Sequence, residues 1–312
     1  FWREWIVRMK TDTAAIKSGK KRSLRNRFEL MDAIILIILL IWALLIVIPF
    51  INVIAISFAT PQEYLDSKLL LFPTQPTLSN YKTLFADGRI LVGYRTTLTI
   101  LLIGVPLNMF LTTSVAYALS RGSFPLKKFF LYAILFTMLF NGGIVPLYLL
   151  MMELDLTNNI WSVILAYGVN TFYMIIMRTY FQSLPDSLIE SARLDGAGEW
   201  TILFRIILPL SMPIIATVTL FYSVDRWNEW FNAMIFLRSN DMIPLQLVLR
   251  SMVLEATASK TMTASSAAIT GSMFSDGLKM SAVIVTMLPI MCVFPFLQKY
   301  FVKGILIGAV KA

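Results

Sequence analysis

Residues 184–213 read LPDSLIESARLDGAGEWTILFRIILPLSMP and lie between two long apolar runs. Pro185 and Asp186 predict the start of a helix, because a proline in the first turn has no amide proton to leave unpaired. Ser183, followed three residues later by Asp186, matches a capping box. A segment of this kind between two membrane-spanning runs must face water on one side of a bilayer, and the rest of the chain is organised around it.

Two glycines predict where this first helix ends. Gly196 and Gly198 follow it directly, and glycine adopts the left-handed conformation of a helix end at little steric cost. A second helix follows, and its apolar residues have offsets of 0, 3, 4 and 7, which predicts that all four lie on one face. These residues are Trp200, Leu203, Phe204 and Ile207. Such a pair of helices is also typical of an amphipathic segment lying on lipid headgroups.

The residue types and their spacing in this stretch point to a particular protein family more specifically than its helical periodicity does. It resembles the EAA signature of bacterial ABC importer permeases, namely EAA, three residues, G, nine residues, I, one residue, LP. The signature positions are Glu190, Ser191, Ala192, Gly196, Ile206, Leu208 and Pro209, and Asp195, in the spacer before Gly196, is also assigned to coupling with the ATPase. Only Ser191, in place of alanine, departs from the signature. The resemblance implies that residues 184–209 form the coupling loop, which docks on a separate cytoplasmic ATPase mainly through Glu190, Ala192 and Gly196.

Composition places the chain in a membrane. Its 312 residues are 57% hydrophobic and 14% charged, where an ordinary soluble domain is about a quarter charged. There is no histidine, which excludes Ser-His and Cys-His catalysis. The single cysteine, Cys292, lies in an apolar run and is interpreted as a packing residue. No GxxxxGK[ST] phosphate loop occurs, so we expect no cofactor, metal or ATPase site on this chain, with ATP and Mg²⁺ bound by a partner.

The apolar runs predict an all-α integral membrane protein with six transmembrane helices, and the resemblance implies the type I importer (MetI-like) fold. We expect spans at about 33–58, 91–119, 129–150, 160–181, 210–224 and 280–301. The predicted layout begins with a basic cytoplasmic tail (1–29), a first transmembrane helix (30–58) and an external loop (59–90). A core permease domain (91–301) follows, and it contains the coupling loop and a large external loop (226–279). A cytoplasmic tail (302–312) ends the chain. In this topology the cytoplasmic segments hold most of the 27 basic residues, as the positive-inside rule requires.

Neutral polar residues within the spans suggest a path for a hydroxyl-rich solute. Candidates are Asn108, Asn141 and Asn170 in the spans, and Trp227 and Asn228 at the outer mouth of the path, where aromatic faces and amides suit sugar rings. Asparagines at such positions also form hydrogen bonds between helices, and tryptophans also form an interfacial belt, so both alternatives stay open. Asn141 begins an Asn-Gly-Gly sequence that predicts a break in the third span. Arg95 and Arg226 near the outer side either attract an acidic sugar or snorkel to the interface.

Resemblance outside the coupling loop narrows the family. The first outer loop and the C-terminal tail are similar to those of carbohydrate importers of the maltose (MalG) type. Residues 177–200 and 141–146 are similar to permeases for oligosaccharides of uronic acids. This implies a carbohydrate permease subunit in a bacterial cytoplasmic membrane, with both termini cytoplasmic. The implied partners are a second homologous permease, two ATPase subunits, an external solute-binding protein and the lipid bilayer, and no nucleic acid. Alternatives are an importer of another solute and an ion-coupled secondary carrier.

Overall fold

The computed structural model of the protein describes residues 30–67, 69–121, 125–263 and 275–309. Every regular element in these ranges is helical, which confirms the predicted all-α class. The helices are α1 Leu30–Phe58, α2 Pro61–Asp66, α3 Ser79–Ala86, α4 Arg89–Ser120, α5 Lys127–Leu139, α6 Ile144–Glu153, α7 Ile160–Ala166, α8 Thr171–Gln182, α9 Asp186–Leu194, α10 Glu199–Ile202, α11 Leu208–Leu210, α12 Met212–Trp227, α13 Phe231–Phe236, α14 Leu245–Thr263 and α15 Ser275–Ala309. A π-helix, Leu203–Ile207, joins α10 to α11, and a 3₁₀-helix, Asn240–Met242, precedes α14.

The described residues contain up to six candidate spans if each bent pair of helices counts as one. Asp32–Phe58, Arg89–Ser120 and Asp276–Val293 are each long and apolar enough to cross a membrane. The bent pairs are α5 with α6 at 115°, α7 with α8 at 53°, and Glu199–Leu210 with α12 at 89°. By length and composition the total agrees with the six predicted spans.

The fourth span differs from its prediction, and the fifth agrees with it but is short. The fourth was expected to run continuously from 160 to 181, but the helix stops at Ala166 and restarts at Thr171. The fifth, α12, has 16 residues, fewer than the roughly 20 that cross hydrocarbon alone. The break in the fourth span lies where side chains from other helices take over backbone hydrogen bonds, as described below.

The chain divides into two units at Ile51. In the first, the α1 side chains are apolar on all sides and remain exposed from Ile34 to Ile48, with Trp42 at 63%. A helix that is hydrophobic all round is typical of a membrane span.

In the second unit α4 is the central helix, packing against α8, α12 and α14. Its Ala116 and Tyr117 join a core that includes Met177 of α8, Ile189 of α9 and Val218 of α12. This core therefore contains part of the coupling loop as well as parts of three spans.

The predicted large external loop is mostly helical. Its α14 packs on α4 so closely that a Cβ at Gly93 would lie 3.0 Å from the Cα of Leu245. The Leu245 amide donates to Thr97 Oγ1 at 2.9 Å, and Val248 and Met252 are buried in the same contact. Residues 226–279 were predicted as one large external loop, and most of their described part is helical and packed on α4.

Some predictions lie outside the described residues. These are the basic tail at 1–29, residues 264–274 of the external loop and the last three residues. Cys292 is described and is exposed, so its interpretation as a packing residue is wrong.

Candidate functional site

The first helix of the coupling loop begins differently from the capping-box prediction. The N-cap of α9 is Pro185, and no side chain caps the helix. Ser183 is the C-cap of α8, and its hydroxyl donates to the Tyr180 carbonyl at 2.7 Å. That bond uses the hydroxyl that would have capped α9. Asp186 instead lies 3.4 Å from the Arg121 guanidinium.

The end of α9 forms as predicted. Gly196 has φ +80°, its amide donates to the Arg193 carbonyl at 3.0 Å, and the Ala197 amide donates to the Ala192 carbonyl at 2.9 Å. These two bonds make a Schellman motif, which requires the left-handed residue that glycine supplies. Gly198 has φ −73° and needs no such freedom.

The signature residues of α9 divide between surface and core. Glu190, Ser191 and Asp195 are exposed, and so is Leu194 at 89%. Ala192 is buried, so it supports the helix from beneath and cannot present a docking surface as the resemblance implied. The Ser191 hydroxyl donates to the Ser187 carbonyl of its own helix at 2.8 Å, which explains how serine replaces alanine without needing a partner.

The second helix does not present one apolar face. Leu203 and Ile207 are buried, whereas Trp200 and Phe204 are exposed and stack on each other at 5.9 Å. The reason is the π-helix, which turns less per residue than an α-helix and so separates positions that 3.6 periodicity would align. The remaining signature residues follow it: Ile206 and Leu208 are half-buried against the core, and Pro209 is exposed.

Side chains from distant positions tie the coupling loop to the end of α4. The Tyr117 hydroxyl donates to Glu199 at 2.6 Å, and Glu199 also accepts from Arg193 at 2.7 Å. Arg121 donates to the Phe181 carbonyl at 3.1 Å and lies over the Tyr117 ring. Burial lowers the pKa of the Arg121 guanidinium. No local sequence signal marks the Tyr117–Glu199 and Arg121–Phe181 contacts, since these partners lie 82 and 60 residues apart.

The break in the fourth span is held by Arg226. This side chain is 4% exposed. Its guanidinium donates to the carbonyls of Val163, Ile164 and Tyr167 at 2.9 to 3.1 Å, and to Asn108 Oδ1 at 3.1 Å. A helix end leaves its last carbonyls unpaired, and a cation there also complements the helix dipole. Arg226 is therefore neither a free sugar ligand nor a snorkelling residue.

The predicted path residues do not converge on one site. Asn108 is fully buried and donates to the Gly168 carbonyl at 2.7 Å, so it joins helices. Asn170 caps α8 by accepting from the amides of Phe172 and Tyr173. Trp227 is buried against Tyr94 and not part of an open mouth.

The other two candidates are exposed but lie in different places. Asn141 accepts from the Gly143 amide at 2.9 Å in the break of the third span. Asn228, after α12, donates to the Val224 carbonyl at 2.9 Å.

One exposed pair was missed by the sequence reasoning. Asp225, next to Arg226 on α12, accepts a hydrogen bond from the Tyr173 hydroxyl at 2.9 Å and is exposed. The sequence places it beside Arg226, but both were assigned to the outer end of the span. The structure brings Arg226 within 3.6 Å of the Cβ position of Gly104, midway along α4.

Comparison with known proteins identifies the family. Residues 97–307 match the model for "Binding-protein-dependent transport system inner membrane component". The chain is 38% identical to the polygalacturonan/rhamnogalacturonan transport system permease protein YtcP of Bacillus subtilis, covering 92% of this chain and 100% of that protein. It is 29% identical to the arabinooligosaccharides permease AraQ of Halalkalibacterium halodurans, covering 86% and 92%.

A solved structure supports the same family. A chain of a bacterial ABC transporter involved in the import of the acidic polysaccharide alginate has a TM-score of 0.80 and 29% identity, covering 88% of this chain and 98% of that one. These findings confirm the resemblance drawn from the coupling loop. The chain belongs to the family of binding-protein-dependent transport system inner membrane components, the permease subunits of ABC importers.

Proposed function

We propose that this protein is one permease subunit of an ATP-driven importer of oligosaccharides, including acidic ones that contain uronate rings. The observation that carries the proposal is the 38% identity to a polygalacturonan/rhamnogalacturonan permease along that protein's entire length. The likeness to a chain of the alginate importer supports the same solute class.

The coupling loop is proposed to transmit the motion of the ATPase. The exposed ridge of Glu190, Leu194 and Asp195 offers charge and one large apolar side chain to a partner. Behind this ridge, Tyr117, Glu199 and Arg193 connect the loop to α4 through short hydrogen bonds. A displacement of α9 would therefore move the end of α4 with it.

The same proposal assigns the partners. The coupling loop faces the cytoplasm, where two ATPase subunits hold ATP and Mg²⁺. A second, homologous permease completes the path, and a solute-binding protein delivers the sugar at the opposite face. Both termini are cytoplasmic in this arrangement, and the membrane is the bacterial cytoplasmic membrane.

Docking is tested by co-purification of the ATPase from detergent-solubilised membranes. Glu190→Lys reverses a charge on the exposed ridge without changing the backbone, and we expect at least a tenfold loss of bound ATPase. Glu153→Lys is the matched control, since Glu153 is exposed in a helix outside the coupling loop. Equal ATPase recovery with both variants would refute the docking assignment.

Solute class is tested by uptake into vesicles that contain ATP and carry the complete importer with its binding protein. We expect uptake of labelled oligogalacturonide that needs ATP and continues when an uncoupler collapses the proton gradient. Loss of uptake with the uncoupler, while ATP remains, would contradict an ATP-driven mechanism.

A further inference from the structure

A carboxylate and three aromatic rings lie together beside the break in the fourth span. The Asp225 carboxylate accepts from the Tyr173 hydroxyl at 2.9 Å. The Tyr173 ring lies 5.3 Å from that of Phe221 and 6.2 Å from that of Phe172. Phe172, Tyr173, Phe221 and Asp225 are called the Asp225 platform below.

The platform lies midway through the bundle. Arg226, the next residue after Asp225, contacts Gly104 and Asn108, which are central in the 32 residues of α4. One turn earlier, Tyr222 shares a hydrogen bond with Thr112 of α4. The end of α12 therefore reaches only the middle of the membrane, where the fourth span also breaks.

Two independent observations show that lipid does not cover this surface. A carboxylate at the centre of a bilayer faces a protein interior or water, because its charge is costly in hydrocarbon. Asp225 is nevertheless exposed in the chain. The unwound backbone is also partly open, with Tyr167 at 46% and Val169 at 36% exposed, and irregular backbone at this depth occurs only against protein or a water-filled cavity.

The chemistry of the platform fits the hydroxyl edge of a sugar. Within the described residues Asp225 Oδ1 accepts no hydrogen bond, and a carboxylate oxygen can accept from hydroxyl groups. Phe172, 51% exposed, offers an apolar ring to the C–H face of a pyranose. The negative charge would repel a second carboxylate placed beside it.

We infer that the Asp225 platform is a subsite at mid-membrane that binds the hydroxyl edge of one sugar ring and turns any uronate carboxylate away. This inference rests on the proposed function, because it requires that the transported solute is a saccharide. Recognition of acidic groups would then take place elsewhere on the importer.

Accessibility is tested in the assembled importer with a charged, water-soluble methanethiosulfonate reagent. The chain contains one cysteine, so Cys292→Ser provides a cysteine-free background. Asp225→Cys and, separately, Phe172→Cys are then labelled. Leu102→Cys is the control, because Leu102 is 69% exposed on the apolar surface of α4. We expect both platform cysteines to react at least tenfold faster than the control. In Phe172→Cys, which keeps the Asp225 carboxylate, we also expect oligosaccharide delivered by the binding protein to slow the labelling.

If neither platform cysteine is labelled in the importer although both are labelled in the isolated chain, the second permease covers the platform. That result would overturn the inference. Labelling of Phe172→Cys that oligosaccharide does not slow would overturn it as well.

Selectivity gives a second test. Asp225→Asn keeps the shape of the side chain and removes its charge. We expect the ratio of neutral to acidic oligosaccharide uptake to fall about tenfold, because the amide no longer repels a uronate carboxylate while its oxygen still accepts from a hydroxyl. An unchanged ratio would count against the subsite. If the wild-type importer takes up no oligosaccharide at all, the proposed function fails, and that result is distinct from either failure of the platform.

Discussion

The third and fourth spans of this protein are both broken, and these two breaks are held in opposite ways. Between α5 and α6 the chain turns by 115° using only its own sequence: Asn141 accepts from the Gly143 amide, and Gly143 has φ +89°. Between α7 and α8 the bend is 53°, and the freed backbone groups are bonded by Arg226, Asn108 and Tyr222 from other spans.

The two breaks differ in how far along the sequence the residues that specify them lie. The first break is encoded by three adjacent residues, so its stability depends on local conformation. The second is encoded by residues 52 to 63 positions away from the backbone groups they bond. It therefore depends on the packing of α4 and α12 against the fourth span, and substitutions at the two breaks should have different consequences.

Arg226→Met should have the largest effect. It leaves the carbonyls of Val163, Ile164 and Tyr167 without their donors and removes the cation 3.8 Å from Glu229. We expect a loss of about 3–5 kcal/mol, the usual cost of breaking a buried charge network. Thermal unfolding in detergent measures it. Arg250→Met, at an exposed arginine that lies over the Trp230 ring, is the control. Equal destabilisation by both variants would contradict the role of Arg226.

Gly143→Ala should have an intermediate effect at the local break. With φ 89° and ψ 175°, Gly143 lies in a region that only glycine adopts readily, and a side chain there costs about 1–3 kcal/mol. Gly142→Ala is the matched control, because its φ is not positive and a Cβ there meets no atom within 4 Å. The same unfolding measurement applies, and similar melting temperatures for the two variants would show that the turn is not held by backbone conformation.

Tyr222→Phe should have the smallest effect of the three. The hydroxyl accepts from the Asn170 amide at 2.9 Å and shares a hydrogen bond with Thr112. Its loss should cost about 1 kcal/mol, the scale of hydrogen bonds between membrane helices. Tyr180→Phe removes a hydroxyl 3.5 Å from the nearest carbonyl, that of Leu210, and should cost less. A larger loss from Tyr180→Phe than from Tyr222→Phe would reverse the proposed ranking.

The same distinction explains what the sequence predicted. Asn141, Gly143 and Gly196 act within a few residues of their own positions, and the third-span break and the end of α9 were both predicted from them. The EAA spacing was likewise enough to identify the family.

What the sequence did not predict depends on distant partners. The break after Ala166 was missed because the residues that bond its carbonyls are on α4 and α12. The Ser183 hydroxyl was assigned to the wrong helix because either neighbouring helix end could have used it. Asp225 was overlooked because its depth follows from the packing of Arg226 against Gly104, which no local pattern records.

The position of Arg226 also has a consequence for biosynthesis. The ribosome makes α7 and α8 before it makes Arg226, so the carbonyls at the end of α7 enter the membrane without their donor. An arginine at the mid-membrane end of a later span is itself costly to release into lipid, by about 2.5–3.5 kcal/mol on insertion scales. The α7 carbonyls gain their donor, and the Arg226 guanidinium most of its acceptors, when the two spans pack together. We therefore expect α4, α7 and α12 to leave the insertion machinery together, and a chain truncated before Arg226 to be retained there.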